Sequence, residues 1–327
     1  MNLKIFEKNL ELIPPNEPIA VALSGGGDSM ALTHLLSEWA YKHKRVNPLH
    51  ILHVDHGLRT ESKEEAVTIK KWVSEFHYNQ FKILRWQHTK VINKKIQEEA
   101  RTARYALMAN YCKKNKIKYL CTAHHKDDQA ETILFRLAKG SGIDGMAGMN
   151  LTYSYDKNLT ILRPCLAYTH DELINHCQKK KLNWLEDPSN SSEKFARVRL
   201  RKASEVLKTE GLTADRLAQF AKRCTRAKEA LTIFTAQSLQ HALITQTKKE
   251  MIFNLSSIKS YPLDIIIRLL SYAIIALYPK RTYPPALEVI ETIAEKILEA
   301  SNGKATIANC LISWSKTKAT LTVKMES

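Results

Sequence analysis

The apolar residues of the chain fall into short runs that alternate with longer segments of helical periodicity. One apolar run, residues 19–23, predicts a buried strand, and residues 48–54, 81–86 and 117–123 predict three further strands. The segments that follow them have helical spacing: residues 30–36, 62–76, 96–115 and 128–138. Strands that alternate with helices form a parallel sheet with helices on both faces. We therefore predict a doubly wound α/β fold, which binds its ligands at the carboxyl ends of the strands.

The pattern changes in the second half of the chain. It predicts a glycine-rich loop at residues 140–148, an edge strand that ends at residues 162–164 and a short helix at residues 171–180. Two core helices are predicted at residues 263–277 and 285–298. From about Ala203 onward the pattern is mostly helical, and the last residues alternate as in a terminal β-ribbon. We therefore predict two domains, residues 1–210 and a smaller, mainly helical domain at residues 211–327.

Charge and cysteine usage narrow the classes of function. The 327 residues carry a formal net charge of +17, which favours a polyanionic partner such as nucleic acid, although lysine-rich codon usage is an alternative cause. The six cysteines include no CxxC pair, which argues against a zinc ribbon, an iron–sulfur cluster or a disulfide framework. We find no signal peptide and no membrane-spanning run, so we expect a cytoplasmic protein with no membrane partner.

A glycine-rich turn follows the first strand and leads into the first helix of the α/β pattern. It consists of Ser24, Gly25, Gly26, Gly27, Asp28 and Ser29. Glycines allow close approach of a ligand, and backbone N–H groups at a helix start bind anions. The turn lacks the lysine of a GxxxxGKS/T loop. We predict a phosphate or pyrophosphate site, and the alternative is a tight turn capped by Asp28 or Ser29.

Polar residues follow the other strands. His53 and Asp55 end the second strand, where an adenine ring would lie, and the alternative is an ordinary strand-to-loop corner. Arg101 and Arg104 share one face of a helix and can clamp a phosphate, or they form a solvated face with the neighbouring glutamates. Asp187 belongs to an acidic turn near the predicted end of the catalytic domain.

The second strong stretch is AHHKDDQAET at residues 123–132. Asp128 and Glu131 lie three residues apart on one helical face, where they can hold Mg²⁺ or a cationic amine substrate. The alternative is that these acids complement the helix dipole. His124 and His125 are adjacent and lack the HExxH spacing, so a zinc site is not predicted.

Alternating arginines come after the acidic turn. Arg197, Arg199 and Arg201 suggest phosphate contacts to ATP or RNA, and the alternative is a basic solvent face.

Together these stretches resemble the tRNA(Ile)-lysidine synthetase family of PP-loop ATP pyrophosphatases, with their adenine nucleotide α-hydrolase-like fold. The motifs, in order, are SGGGDS, HVDHGLR, EEARTARY, AHHKDDQAET, GSGIDGMAGM, RPCL, EDPSN and RVRLR. One departure is Val198, where the family usually has asparagine between two arginines. The chain is short for the family and resembles the form without the last C-terminal domain.

The resemblance implies a reaction and its participants. ATP adenylates carbon 2 of the wobble cytidine in the CAU anticodon of tRNA(Ile), and the ε-amine of free L-lysine then displaces AMP. Residues 1–210 become the catalytic domain and residues 211–327 the tRNA-binding domain. The resemblance leaves open whether the chain acts as a monomer or a homodimer.

The resemblance also implies residue roles. Ser24 and Ser29 assist the glycines in holding the phosphates, and Asp28 organises Mg²⁺. Asp128 and Glu131 match the positions that hold the amine end of lysine. Arg104 and Arg201 match family positions that lie near the α-phosphate and the substrate.

Three other functions remain open from the sequence. A PP-loop tRNA thiolase uses the same ATP loop but needs a catalytic cysteine or an iron–sulfur cluster. Another ATP-pyrophosphatase ligase, acting on a small metabolite, would not need the +17 charge. A non-catalytic RNA-binding protein would not need Asp28, Asp128 and Glu131 together.

Overall fold

The computed structural model of the chain describes residues 1–46, 49–57, 62–87, 96–186, 203, 206–278 and 285–326. Its backbone forms two compact units, one made of residues 1–135 and 148–220, the other of residues 136–147 and 221–327. The assignment of catalysis to residues 1–210 and of tRNA binding to residues 211–327 stays a prediction.

The described strands are β1 Ile19–Ala22, β2 His50–Asp55, β3 Gln80–Arg85, β4 Tyr119–Cys121, β5 Thr152–Ser154, β6 Thr160–Leu162, β7 Leu243–Gln246, β8 Glu250–Asn254, β9 Asn302–Ile307, β10 Cys310–Ser315 and β11 Thr320–Met325. The described helices are α1 Leu3–Leu10, α2 Gly27–Lys42, α3 Ser62–Trp72, α4 Ile96–Lys114, α5 Lys126–Leu137, α6 Ile143–Met146, α7 His170–Lys179, α8 Ala214–Ala242, α9 Leu255–Lys259, α10 Leu263–Leu277 and α11 Leu287–Glu299.

The sheet of the first unit has the order β3-β2-β1-β4-β6-β5 within the described part of the chain. Strands β1 to β4 and β6 run parallel, and β5 is antiparallel to β6. The chain builds outward from β1 through β2 to β3, then returns to place β4 on the other side of β1. The strand order therefore reverses between β1 and β4, and such a switch point opens a ligand crevice at the carboxyl ends of the strands.

The apolar sequence of β1 fits its position in the interior of this sheet. Its residues Ile19, Ala20 and Val21 are fully buried, because helices cover both faces and leave no side for a polar residue. On one face the side chains of α2 pack with α1 and α7 in a single apolar cluster, including Met30, Leu36 and Leu173. The glycine-rich turn at residues 24–29 thus follows a buried strand and leads into a well-packed helix.

The predicted fold class is confirmed, with differences at its margins. The strand that ends at Leu162 was predicted to be an edge strand, but β6 lies inside the sheet and β5 forms the edge. The three residues of β5 are all exposed and have no apolar alternation that could signal a strand. The glycine-rich loop at residues 140–148 contains the short helix α6.

The second unit contains a β-sheet that is wider than the predicted terminal ribbon. In the described residues its antiparallel order is β7-β8-β11-β10-β9, and helices α10 and α11 contribute buried side chains to its core. Strand β7 follows α8 with no glycine or proline between them, so no sequence signal marks where the helix ends. Within the described ranges, the chain contains no helix with the length and apolar character needed to span a membrane.

Candidate active site

The turn after β1 is held in shape by its two serines. The Ser29 hydroxyl accepts hydrogen bonds from the backbone N–H groups of Ser24 and Gly25, both at 3.2 Å, and donates to the Gly26 carbonyl at 2.8 Å. The Ser24 hydroxyl oxygen lies 3.0 Å from that of Ser29. Helix α2 then begins with Gly26 as its N-cap, which supplies no side-chain cap. Helix-start N–H groups without a side-chain cap are suited to bind an anion.

Protein atoms crowd two of the three glycines, and the backbone conformation also requires glycine at Gly25. Gly25 has a φ of +96°, and a Cβ atom there would lie 2.5 Å from the Ile69 side chain. A Cβ atom on Gly27 would lie 2.3 Å from Ile174 of α7. At Gly26 the nearest atom to an added Cβ is the Ser24 hydroxyl, at 3.7 Å, which is an ordinary contact. The protein interior therefore explains Gly25 and Gly27, and Gly26 faces space that a ligand can enter.

Asp28 contacts two histidines from other elements. Its Oδ1 atom lies 2.8 Å from Nδ1 of His170, the first residue of α7, and its Oδ2 atom lies 3.6 Å from Nε2 of His125. Burial alone would raise the pKa of Asp28, but hydrogen bonds to His125 and His170 lower it well below its ordinary value. Asp28 is therefore a carboxylate at any physiological pH, at the start of a helix whose dipole also favours negative charge.

His125 stands at the centre of a group of carboxylates. Its side chain is only 4% exposed, and its ring nitrogens lie 3.5 Å from Asp127 Oδ2 and 3.4 Å from Asp128 Oδ2. Burial alone would lower the pKa of His125, but hydrogen bonds to Asp127 and Asp28 raise it to about 10. The buried imidazolium therefore offsets part of the negative charge that the three aspartates bring together.

The predicted carboxylate pair lies on the first turns of α5. The backbone N–H of His125 donates to Asp128 Oδ2 at 3.0 Å, which fixes the Asp128 side chain at the helix start. Glu131 follows one turn later and is buried, with 8% of its surface exposed. A buried carboxylate of this kind is suited to hold a cationic group.

The structure gives His53 and Asp55 local contacts. His53 Nδ1 donates to the Leu23 carbonyl at 2.9 Å, and burial lowers the pKa of His53, so the ring is neutral and joins the ends of β1 and β2. Asp55 Oδ1 accepts from the N–H of Gly57 at 2.9 Å and shapes the turn after β2. Both residues lie at the predicted strand ends, and their role in nucleotide binding stays a prediction.

The arginines divide into described and undescribed residues. Arg104 lies on α4 with its guanidinium 5.6 Å from the centre of the Tyr105 ring, and its charge lowers the pKa of His56 beyond the effect of burial. Arg101 lies 5.3 Å from the centre of the same ring. The remaining predicted residues lie outside the described part of the chain: Arg197, Arg199 and Arg201.

Sequence reasoning gave no role to His125 and did not identify His170. In the sequence, His125 was considered only as a zinc ligand, and its motif was interpreted through Asp128 and Glu131. His170 comes from a helix 142 residues after Asp28 in sequence, and no local signal connects the two. The Thr169–Glu172 capping box that starts α7 is visible in the sequence, and it places His170 at the first helical position.

Comparison with known proteins identifies the family. A family model described as a PP-loop domain matches residues 2–209. The chain is 37% identical over 298 residues to the tRNA(Ile)-lysidine synthase of Wolbachia pipientis wMel, covering 91% of this chain and 68% of that protein. It is 35% identical over 285 residues to that of Rhodopseudomonas palustris, covering 86% and 81%.

A solved structure shares its fold with about two thirds of the chain. The U34-tRNA thiolase NcsA from Methanococcus maripaludis, solved with its 4Fe–4S cluster, has a TM-score of 0.56 over 67% of this chain and 77% of that chain. At 18% identity this similarity concerns the fold alone. The PP-loop match, together with the extent of identity to the curated synthases, shows that the chain belongs to the tRNA(Ile)-lysidine synthase family.

Proposed function

We propose that the chain ligates L-lysine to carbon 2 of the wobble cytidine in the CAU anticodon of tRNA(Ile), using ATP. One observation carries this proposal beyond family membership. Asp28 of the phosphate loop and Asp128 of the carboxylate pair both lie within 3.6 Å of His125 Nε2. The glycine-rich turn after β1 and the start of α5 after β4 thus meet at the switch point of the sheet, which supports a site where ATP and lysine bind side by side.

The reaction has two displacement steps. In the first, the oxygen on carbon 2 of the cytidine bonds to the α-phosphorus of ATP, and pyrophosphate leaves. In the second, the lysine ε-amine, after losing a proton, bonds to carbon 2, and AMP leaves with the oxygen. Both steps need positioning and charge stabilisation rather than a covalent intermediate on the protein.

The residues divide between the two steps. Gly26 and the N–H groups at the start of α2 hold the phosphates, with Ser24 and Ser29 keeping the loop in shape. Asp128 and Glu131 bind the ammonium of lysine, and a neighbouring carboxylate accepts its proton. Arg104 contributes positive charge toward the α-phosphate.

Magnesium fits this site through Asp28. Mg²⁺ prefers oxygen ligands and commonly takes one carboxylate together with substrate phosphates. Asp28 provides an ionised carboxylate at the loop, and His125 and His170 hold its two oxygens in place. When bound, the ion supplies charge neutralisation on the phosphates.

A tRNA thiolase is the second candidate, and the cysteines argue against it. All six cysteines are buried. Burial raises the pKa of Cys112 to about 12 and of Cys177 to about 11, and it also raises the pKa of Cys121 and Cys165. A catalytic cysteine needs an accessible thiolate with a lowered pKa.

One experiment separates the two functions. Total tRNA from a strain depleted of lysidine is incubated with the protein, ATP and either labelled lysine or a labelled sulfur donor. We expect ATP-dependent lysine label in one isoleucine tRNA and no sulfur label. Sulfur incorporation without lysine incorporation would overturn the proposal.

Gly26 offers a test of the phosphate site that separates binding from folding. The Gly26→Ala variant is expected to keep the wild-type melting temperature, because the added Cβ atom has room. It is expected to bind ATP at least about tenfold more weakly, because the ligand approaches that face of the turn. The matched Gly25→Ala variant is expected to lose about 1–3 kcal/mol of stability, since alanine is strained at φ +96°. Thermal melts and ATP titration measure both. Wild-type ATP affinity of Gly26→Ala would exclude the loop as the phosphate site.

The basic surface suggests where tRNA binds in the C-terminal part. Lys222, Arg223 and Arg226 are exposed on α8 and lie within one helical turn of one another. With the net charge of +17, they support tRNA binding through phosphate contacts.

The salt dependence of tRNA binding measures this contribution. If the protein makes six to ten phosphate contacts, raising the salt concentration from 50 to 200 mM is expected to weaken tRNA binding by about 10³–10⁵-fold. The Arg226→Gln variant is expected to reduce the slope of log affinity against log salt by about one, and Lys324→Gln, on β11, serves as the control. An equal slope in all three proteins would show that α8 makes no phosphate contact.

A further inference from the structure

A second group of potential ligand atoms lies on α2 and α7, away from the phosphate loop. His34 and Glu38 are one turn apart on α2, and His176 lies opposite them on α7. His34 Nδ1 is 3.2 Å from His176 Nε2 and 3.6 Å from Glu38 Oε2. The ligand atoms of all three residues lie within 4.8 Å of one another.

These separations match those of a tetrahedral metal site. Zinc binds imidazole nitrogen and carboxylate oxygen at about 2.0–2.2 Å, which places neighbouring ligand atoms of a tetrahedral site about 3.3–3.6 Å apart. The observed separations of 3.2 and 3.6 Å lie close to the two ends of that range. The i, i+4 spacing of His34 and Glu38 puts two ligands on one helix face, and α7 supplies the third.

The surroundings prepare each ligand. Lys180 Nζ lies 2.5 Å from Glu38 Oε1, so it orients the carboxylate and leaves Oε2 directed to the histidines. The Phe76 ring packs edge-on against His34, with centroids 5.2 Å apart, and limits its rotation.

We propose that His34, Glu38 and His176 bind one transition-metal cation of the zinc class, with water as the fourth ligand. Two imidazole nitrogens select such a cation over Mg²⁺, which favours oxygen ligands. Each ring remains neutral on binding, because its proton moves to the nitrogen that does not contact the metal.

A metal at this site would join α2 to α7. Helix α2 begins at the phosphate loop, and α7 begins with His170, which contacts Asp28. Both helices reach the metal site within about two turns of those starts. A metal that joins the two helices therefore holds the Asp28–His170 pair in register, independently of the nucleotide.

Zinc titration of the full chain without nucleotide tests the site. Asp28, His125 and His170 form another group that can take up the metal, so stoichiometry is compared across variants. The His176→Gln variant is expected to bind one equivalent fewer than wild type and to lose the corresponding zinc-induced rise in melting temperature. His170→Gln is expected to retain that equivalent, and His43→Gln, an exposed histidine after α2, is expected to match wild type.

Glu38 provides an independent check that does not disturb the core. Its side chain is 43% exposed, so Glu38→Gln is expected to melt like wild type without metal, while its zinc affinity falls at least about tenfold. The proposal is overturned if His176→Gln binds as many equivalents as wild type, or if Glu38→Gln keeps wild-type zinc affinity. Both readouts are metal uptake and stability, so they do not depend on the proposed ligase activity.

Discussion

The Asp28→Ala variant is expected to lose at least about 10²–10³-fold in turnover and to fold normally. Asp28 is the only carboxylate within the SGGGDS turn, and its side chain is 29% exposed beside the helix start that would hold the phosphates. Without it, the site loses the group we assign to organising Mg²⁺ and pyrophosphate. Pyrophosphate release, measured with tRNA(Ile) and ATP alone, isolates this step.

Two further variants give this prediction its controls. Asp28→Asn keeps the shape and the contact to His170 but removes the charge, so it is expected to be as inactive as Asp28→Ala. Asp171→Ala removes an exposed acid from the residue next to His170 and is expected to retain wild-type turnover. Full activity in a folded Asp28→Ala protein would remove the loop from the ATP site.

The parts of this fold that could be predicted are those that local pattern determines. Strand β1 is a continuous apolar run, because helices cover both faces of the sheet there, and each of the strands β1 to β4 is followed by a segment of helical period. From that alternation alone, the glycine-rich turn and the AHHKDDQAET stretch were predicted to share the carboxyl edge of one sheet. The strand order, with β1 beside β4, confirms that they do.

The parts that could not be predicted depend on contacts between distant residues. His170 contacts Asp28 only because α7 packs beside α2, and no periodicity encodes that packing. The glycine-rich segment is a second case, since residues 136–147 fold with the C-terminal unit. Arg268 of α10 forms two hydrogen bonds to Asp144 across 124 residues, at 2.6 and 3.2 Å, and neither residue is distinctive in the sequence.

The carboxylate pair on α5 separates the two half-reactions. Glu131 is buried one helical turn after Asp128, whose Oδ2 is already held by the His125 N–H. Asp128 also shares His125 with the loop acid Asp28. We propose that Asp128 lies at the junction of the two substrates and that Glu131, one turn further along α5, binds lysine.

The Glu131→Gln variant is expected to raise the KM for lysine about 10- to 100-fold, since it loses one charge-assisted hydrogen bond worth about 1.5–3 kcal/mol. It is expected to release pyrophosphate with tRNA and ATP at close to the wild-type rate. Both steps are measured on one preparation, and Glu75→Gln, an exposed glutamate after α3, serves as the matched control. If Glu131→Gln instead blocks pyrophosphate release and leaves the lysine KM unchanged, Glu131 serves adenylation. The lysine site would then be sought at Asp128 or in the acidic turn of Glu186 and Asp187.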